Sequence, residues 1–196
     1  MKHEIICPFC NNIETIEVYD IIRPGDRAMA EIMNCHISFY KCFECGEFMP
    51  IVHNFIYLDE KNKVLIAHKN NPQKDLDLSD YGEYKIRITQ NIYEMREKII
   101  VLNQGLNDKI VELLKLVYEF RIEENIMIDW VERLYIEEND GIYVTAILGG
   151  GTKKMALLNQ DIYEKLEDLY SCHLEDNGER IIDRTWAINI IDDICE

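Results

Sequence analysis

Along the chain the spacing of apolar positions changes character several times. Residues 13–19 are rich in β-branched side chains in loose alternation and predict a strand, closed by the turn signal Pro24-Gly25. Asp26 stands where a helix cap would, and Ala28, Met29, Ile32 and Met33 then recur at helical spacing. Residues 37–41 return to a strand pattern. Residues 48–58 predict another strand, interrupted at Pro50, and the polar turn 59–63 joins it to a strand over 64–68, making a hairpin. Residues 69–84 hold Asn70-Asn71-Pro72 and scattered Asp with little periodicity, and are expected to form a linker or long loop.

Two helices follow. Asn91 with Glu94 has the form of a capping box, Ile92, Met95, Ile99 and Leu102 make an apolar stripe, and Gly105 supplies the stop. The second helix starts at Asn107 and turns Ile110, Leu113, Leu114, Val117 and Tyr118 to one side, so the pair is expected to be an antiparallel helical hairpin. Farther on, Asn139-Asp140-Gly141 separates strands over 133–136 and 142–148, and a short strand is expected over 154–158. A helix over 159–170 carries Ile162, Tyr163, Leu166, Leu169 and Tyr170 on one face. Asn177-Gly178 marks a turn, and an apolar tail around Trp186 and Ile190 ends the chain. There is no internal repeat. The expected fold class is α+β: an N-terminal module over 1–68 with an inserted short helix, a linker over 69–84, and a part over 85–196 made of the helical hairpin and a small antiparallel sheet with a helix.

Charge narrows the function classes. The net charge is −16, and residues 123–196 carry 6 Lys and Arg against 18 Asp and Glu. Such a surface repels phosphate backbones, so nucleic acid is not the expected partner; a protein is. No apolar run approaches the ~20 residues of a membrane span, and the N-terminus leaves no room for a signal-peptide core, so a cytoplasmic protein is expected. Seven cysteines, an odd count, then argue for reduced thiols rather than a disulfide framework.

Four of those thiols carry the chemistry. Cys7-Pro8-Phe9-Cys10 and Cys42-Phe43-Glu44-Cys45-Gly46 are two Cys-x-x-Cys steps, each able to form a tight turn with both sulfurs on one side and backbone N–H groups pointing at them. Thiolate is a soft ligand, and four of them make a closed tetrahedral set for one structural Zn²⁺, with no position left for substrate. A redox dithiol is the rival, but a strand pattern rather than a helix follows Cys10, and a second Cys-x-x-Cys has no part in that chemistry. Cys35, His36, Cys172, His173 and Cys195 receive no role, and His53 and His68 are read as core or surface side chains of one hairpin. Gly149-Gly150-Gly151-Thr152-Lys153 lacks phosphate-loop spacing and reads as a glycine turn. Glu123, Glu124, Glu137, Glu138 and Asp140 read as a solvated acidic face. No catalytic residue is identified.

With its two knuckles and the strands after them, the segment 1–68 resembles the CpXC family, named for its Cys-Pro-x-Cys motif. Glu97-Lys98-Ile99 with Gly105-Leu106-Asn107-Asp108 is similar to a segment of longer members. The resemblance implies a zinc-binding domain and brings no activity with it. Here proline occupies the first knuckle only, and Asn11 stands where glycine often follows the second cysteine. The expected function is a zinc-binding protein serving interaction or regulation, with a zinc-ribbon-like module at its start. The alternative is an enzyme with an unrecognised site between the two parts.

Overall fold

The computed structural model describes residues 1–125, 130–175 and 178–195, and forms two compact units, Met1–Arg96 and Glu97–Glu196. Both mix helices with small sheets. The turn expected at Asn177 and the side chain of Cys195 lie outside the described residues.

In the first unit, two short antiparallel hairpins carry the knuckles. Strand β1 (Lys2–Ile6) pairs with β2 (Ile13–Glu17), and β4 (Phe39–Lys41) pairs with β5 (Phe48–Pro50). Between them come the two-residue β3 (Ile21–Ile22) and the inserted helix α1 (Ala28–Met33). Asp26 does not cap that helix: its carboxylate accepts the Arg23 N–H at 2.7 Å and closes the Pro24-Gly25 turn instead. The run 48–58 is two strands in different sheets, because proline cannot continue a ladder. β5 ends at Pro50, and β6 (Phe55–Asp59) begins a second sheet with β7 (Val64–His68).

That second sheet has the order β3-β6-β7-β8, with β8 (Lys85–Thr89) parallel to β7. A parallel neighbour needs a long crossover, and residues 69–84 are that crossover. Leu76, Leu78, Tyr81 and Tyr84 pack from it onto Ile56, Leu58, Leu65, Ala67 and Ile86. The segment expected to link two parts therefore lies within one core. The division falls later, between Arg96 and Glu97, inside helix α2 (Ile92–Asn103).

The second unit holds the rest of α2, helix α3 (Asp108–Asn125), the antiparallel sheet β9 (Val131–Glu138), β10 (Ile142–Leu148) and β11 (Lys153–Leu157), helix α4 (Gln160–Leu169) and helix α5 (Arg184–Cys195). Three asparagines behave as caps: the side-chain oxygens of Asn91, Asn107 and Asn159 accept N–H bonds from Glu94, Lys109 and Ile162, each at 3.0 Å. The hairpin at 139–141 forms as expected, and Gly149 to Gly151 turn between β10 and β11. A Cβ at Gly149 would stand 3.1 Å from the Trp130 ring, a tight contact that the glycine avoids. The apolar tail is helix α5, held to α3 by a two-pronged Arg184–Glu119 contact at 3.0 and 2.9 Å.

Charged residues in this unit are not all on the surface. Lys98 lies 3.0 Å from Glu112 and 3.5 Å from Asp108, and Lys115 lies 2.7 Å from Glu97 and 2.9 Å from Glu112. Glu97, Lys98, Asp108 and Glu112 are all buried. Lys109 on α3 is also buried: its ammonium meets Glu179 at 2.6 Å and the carbonyls of His173 and Glu175. No helix among the described residues is long and apolar enough to cross a membrane.

Candidate metal centre

The two Cys-x-x-Cys steps fold the same way. In the first, the Cys7 N–H donates to the Asn12 carbonyl at 2.9 Å and the Asn11 N–H returns to the Cys7 carbonyl at 2.8 Å. In the second, the Cys42 N–H donates to Glu47 at 2.9 Å and the Gly46 N–H to Cys42 at 2.9 Å. Each loop must reverse the chain at the residue after its second cysteine, and both residues there are left-handed: Asn11 at φ 60° and Gly46 at φ 77°. Glycine takes this conformation freely, and asparagine is among the few other residues enriched in it. The departure from glycine at position 11 thus keeps the geometry that glycine would give.

These loops bring Cys7, Cys10, Cys42 and Cys45 together, with all four sulfurs within 4.8 Å of one another. The Sγ atoms of Cys7 and Cys45 are 3.6 Å apart, as are those of Cys10 and Cys42. A tetrahedron with metal–sulfur bonds of 2.3 Å has edges of about 3.8 Å, so the cluster can hold a metal ion. Cys7 and Cys42 are 2% and 1% exposed, while Cys45 faces solvent. Beneath the sulfurs the apolar packing is slight, consisting of Met49 with Ile5 and Tyr40 at its edge.

The thiols pull one another apart electrostatically. Burial opposes ionisation of Cys7, but the N–H groups of Cys10 and Phe9, with the Cys10 and Cys45 thiols, bring it down to about 7. At Cys42 the Cys45 N–H favours the anion, yet burial and the adjoining Cys45 and Cys10 sulfurs push the thiol up to about 12. Four thiolates this close cannot all ionise alone, and a bound cation reverses that preference.

One contributor was not visible in the sequence. Glu14 Oε1 accepts the Phe43 N–H at 3.0 Å and the Asn12 side-chain N–H at 2.8 Å, and the Cys42 thiol lies 3.4 Å from it. A carboxylate on β2 thereby ties the first knuckle to the second. Nothing in the alternation of residues 13–19 distinguishes it from Glu17, because the partner is a loop amide 29 positions away.

The other candidates lie elsewhere. Cys35 and His36 are not in the cluster: Cys35 is buried at the end of α1, at φ 57°, in contact with Arg96. Cys172 is exposed, and His173 shares its 3₁₀ turn. His53 and His68 do not face each other; the strand register sets Phe55 opposite His68, and those rings pack with centroids 5.0 Å apart. In the acidic face, Glu137 binds Lys153 and Thr145, Asp140 accepts the Tyr143 hydroxyl, and Glu138 accepts the Gln104 amide.

Fold and site together define an α+β protein with a four-cysteine cluster able to hold a metal. The family model described as CpXC protein matches residues 5–115, more than half of the 196 residues, and the chain belongs to the CpXC family. The matched span contains all four cysteines and runs through α2 to Lys115. Comparison with curated proteins and with solved structures found no match.

Proposed function

We propose that this is a non-catalytic zinc-binding protein. One Zn²⁺, held by Cys7, Cys10, Cys42 and Cys45, closes a zinc-ribbon-like module, and the acidic remainder of the chain serves interaction with a protein partner. The observation that carries this reading is the convergence of four sulfurs from two loops of matching hydrogen-bond pattern, at separations that suit tetrahedral thiolate coordination. Thiolates favour zinc over hard cations, and four of them leave no position for water or substrate, so the metal's role is structural. The interaction part of the reading is supported by charge and by exposure. Residues 123–196 carry 18 acidic against 6 basic side chains, and Phe9 and Phe43 stand 62% and 90% exposed on the two knuckles.

Elemental analysis of protein purified without chelator tests the metal. One zinc per chain is expected, lost in Cys42→Ser; a folded chain free of metal would overturn the reading. For the partner, the expected outcome is association with a basic protein that weakens with salt and with Phe43→Ser.

A further inference from the structure

The three-stranded sheet of the second unit, in the order β11-β10-β9, ends on an exposed edge. Every residue of β11 faces solvent, with Met155 47% and Leu157 61% exposed. The Leu148 N–H donates to the Thr152 carbonyl at 2.9 Å and the Leu158 N–H to the Ile142 carbonyl at 2.8 Å, which sets the phase of the β10–β11 ladder. In an antiparallel pair, positions that bond to the neighbour alternate with positions whose backbone groups point the other way. Lys154 and Ala156, opposite Ala146 and Val144, therefore bond to β10, and the N–H and C=O groups of Lys153, Met155 and Leu157 point out from the edge. Of these, the Leu157 carbonyl accepts the Tyr118 hydroxyl at 3.2 Å and has a second lone pair to offer.

We propose that β11 pairs antiparallel with β11 of a second copy of this chain, about a two-fold axis at Met155, joining two three-stranded sheets into one. In that register the strand is complementary to itself. Met155 meets its own counterpart on the axis, Lys153 stands opposite the partner's Leu157, and Lys154 stands opposite the partner's Ala156, so no like charges are opposed. A register centred on Lys154 would set two lysines face to face. The outward backbone groups at 153, 155 and 157 then fall on the hydrogen-bonded positions of the new ladder. Lysines commonly guard an exposed edge, but the Lys153 ammonium is turned to its own sheet, 2.8 Å from Glu137. Charge also selects this strand. Residues 123–196 carry 18 acidic against 6 basic side chains and repel a second copy, whereas β11 carries two lysines and no acid. Five residues a side fall short of the ~20–30 of a standard interface, so the pair is weak and reversible.

Sedimentation equilibrium of the full chain tests this. The average mass is expected to rise toward that of a dimer as the concentration goes from micromolar to near-millimolar. Added salt should strengthen the pair, because it screens the repulsion between chains of charge −16. Met155→Pro removes an outward N–H and breaks no bond to β10, so a folded monomer is expected. Met155→Glu, at an exposed side chain, sets two carboxylates against each other on the axis and should also abolish the dimer, with circular dichroism unchanged from the parent chain. A parent chain that stays monomeric at every concentration overturns the proposal and leaves the edge to a strand of another protein. A dimer that persists in both variants overturns it as well, since it would use another surface.

Discussion

At the scale of single residues, Asn11 and His68 carry the sharpest expectations. Asn11 holds a left-handed turn that a β-branched side chain resists, so Asn11→Val should destabilise the first knuckle by about 1–2 kcal/mol, while Asn11→Gly should be near neutral. Denaturant titration and zinc affinity would both read it; equal behaviour of the two variants would contradict the account. His68 is 1% exposed, neither ring nitrogen has a hydrogen-bond partner, and burial lowers its pKa to about 4. The folded chain refuses a proton that the unfolded chain accepts near pH 6.5. Stability from this group is therefore complete above about 6.5, falls as pH drops through the window, and levels off below about 4, a loss of about 3 kcal/mol. His68→Leu should remove that part of the pH dependence, as measured by denaturation at pH 7 and pH 4.5.

The residues legible in sequence were those whose partners are near in the chain. The cysteine spacing and the Asn91 cap could be read directly because each bond spans only a few positions. Glu14 with Phe43, His53 with Asp20, and Lys109 with Glu179 could not, because only the folded chain brings them together.

Elements were legible where periodicity was strong and hidden where tertiary pairing made them. Helices α2 and α3 and the β9–β10 turn form where expected, whereas β8 is a five-residue parallel strand whose pattern KIRIT lacks a turn partner of its own. The charged residues of α3 find their partners only in the folded chain: Lys109 and Glu112 are buried, and Lys115 lies within reach of Glu97 and Glu112. Burial raises Glu97, while at Glu112 the Lys115 and Lys98 charges overcome burial and hold the carboxyl low. Removing a cation from such a set leaves charge uncompensated, so Lys115→Met should cost about 3–5 kcal/mol. Glu97→Gln, which deletes the carboxylate that burial already disfavours, should cost less. Urea unfolding followed by helical circular dichroism would rank the two; the reverse order would show that the network does not stabilise the helical pair.

Across the whole molecule the two units differ in what holds them. The knuckle hairpins have strands of three to five residues and little apolar packing beneath their sulfurs. Zinc should therefore contribute on the order of 10 kcal/mol there. The second unit has its own apolar residues on α3, α4 and α5, including Ile110, Leu113, Leu114, Tyr163 and Trp186, and no four-thiol cluster. Composition conveyed this asymmetry, because the cysteine steps and the long helical stripes fall in different thirds of the chain; the position of the division did not follow, since residues 69–84 look polar locally while packing Leu76 and Leu78 into the sheet.

The most direct measurement is a residue-resolved amide NMR spectrum recorded while a chelator removes zinc, with released metal counted in parallel. The account predicts that loss of one zinc per chain collapses the amide signals of residues 5–50 while those of α3, α4 and α5 stay dispersed. Knuckle amides that keep their positions after the metal has gone would contradict it.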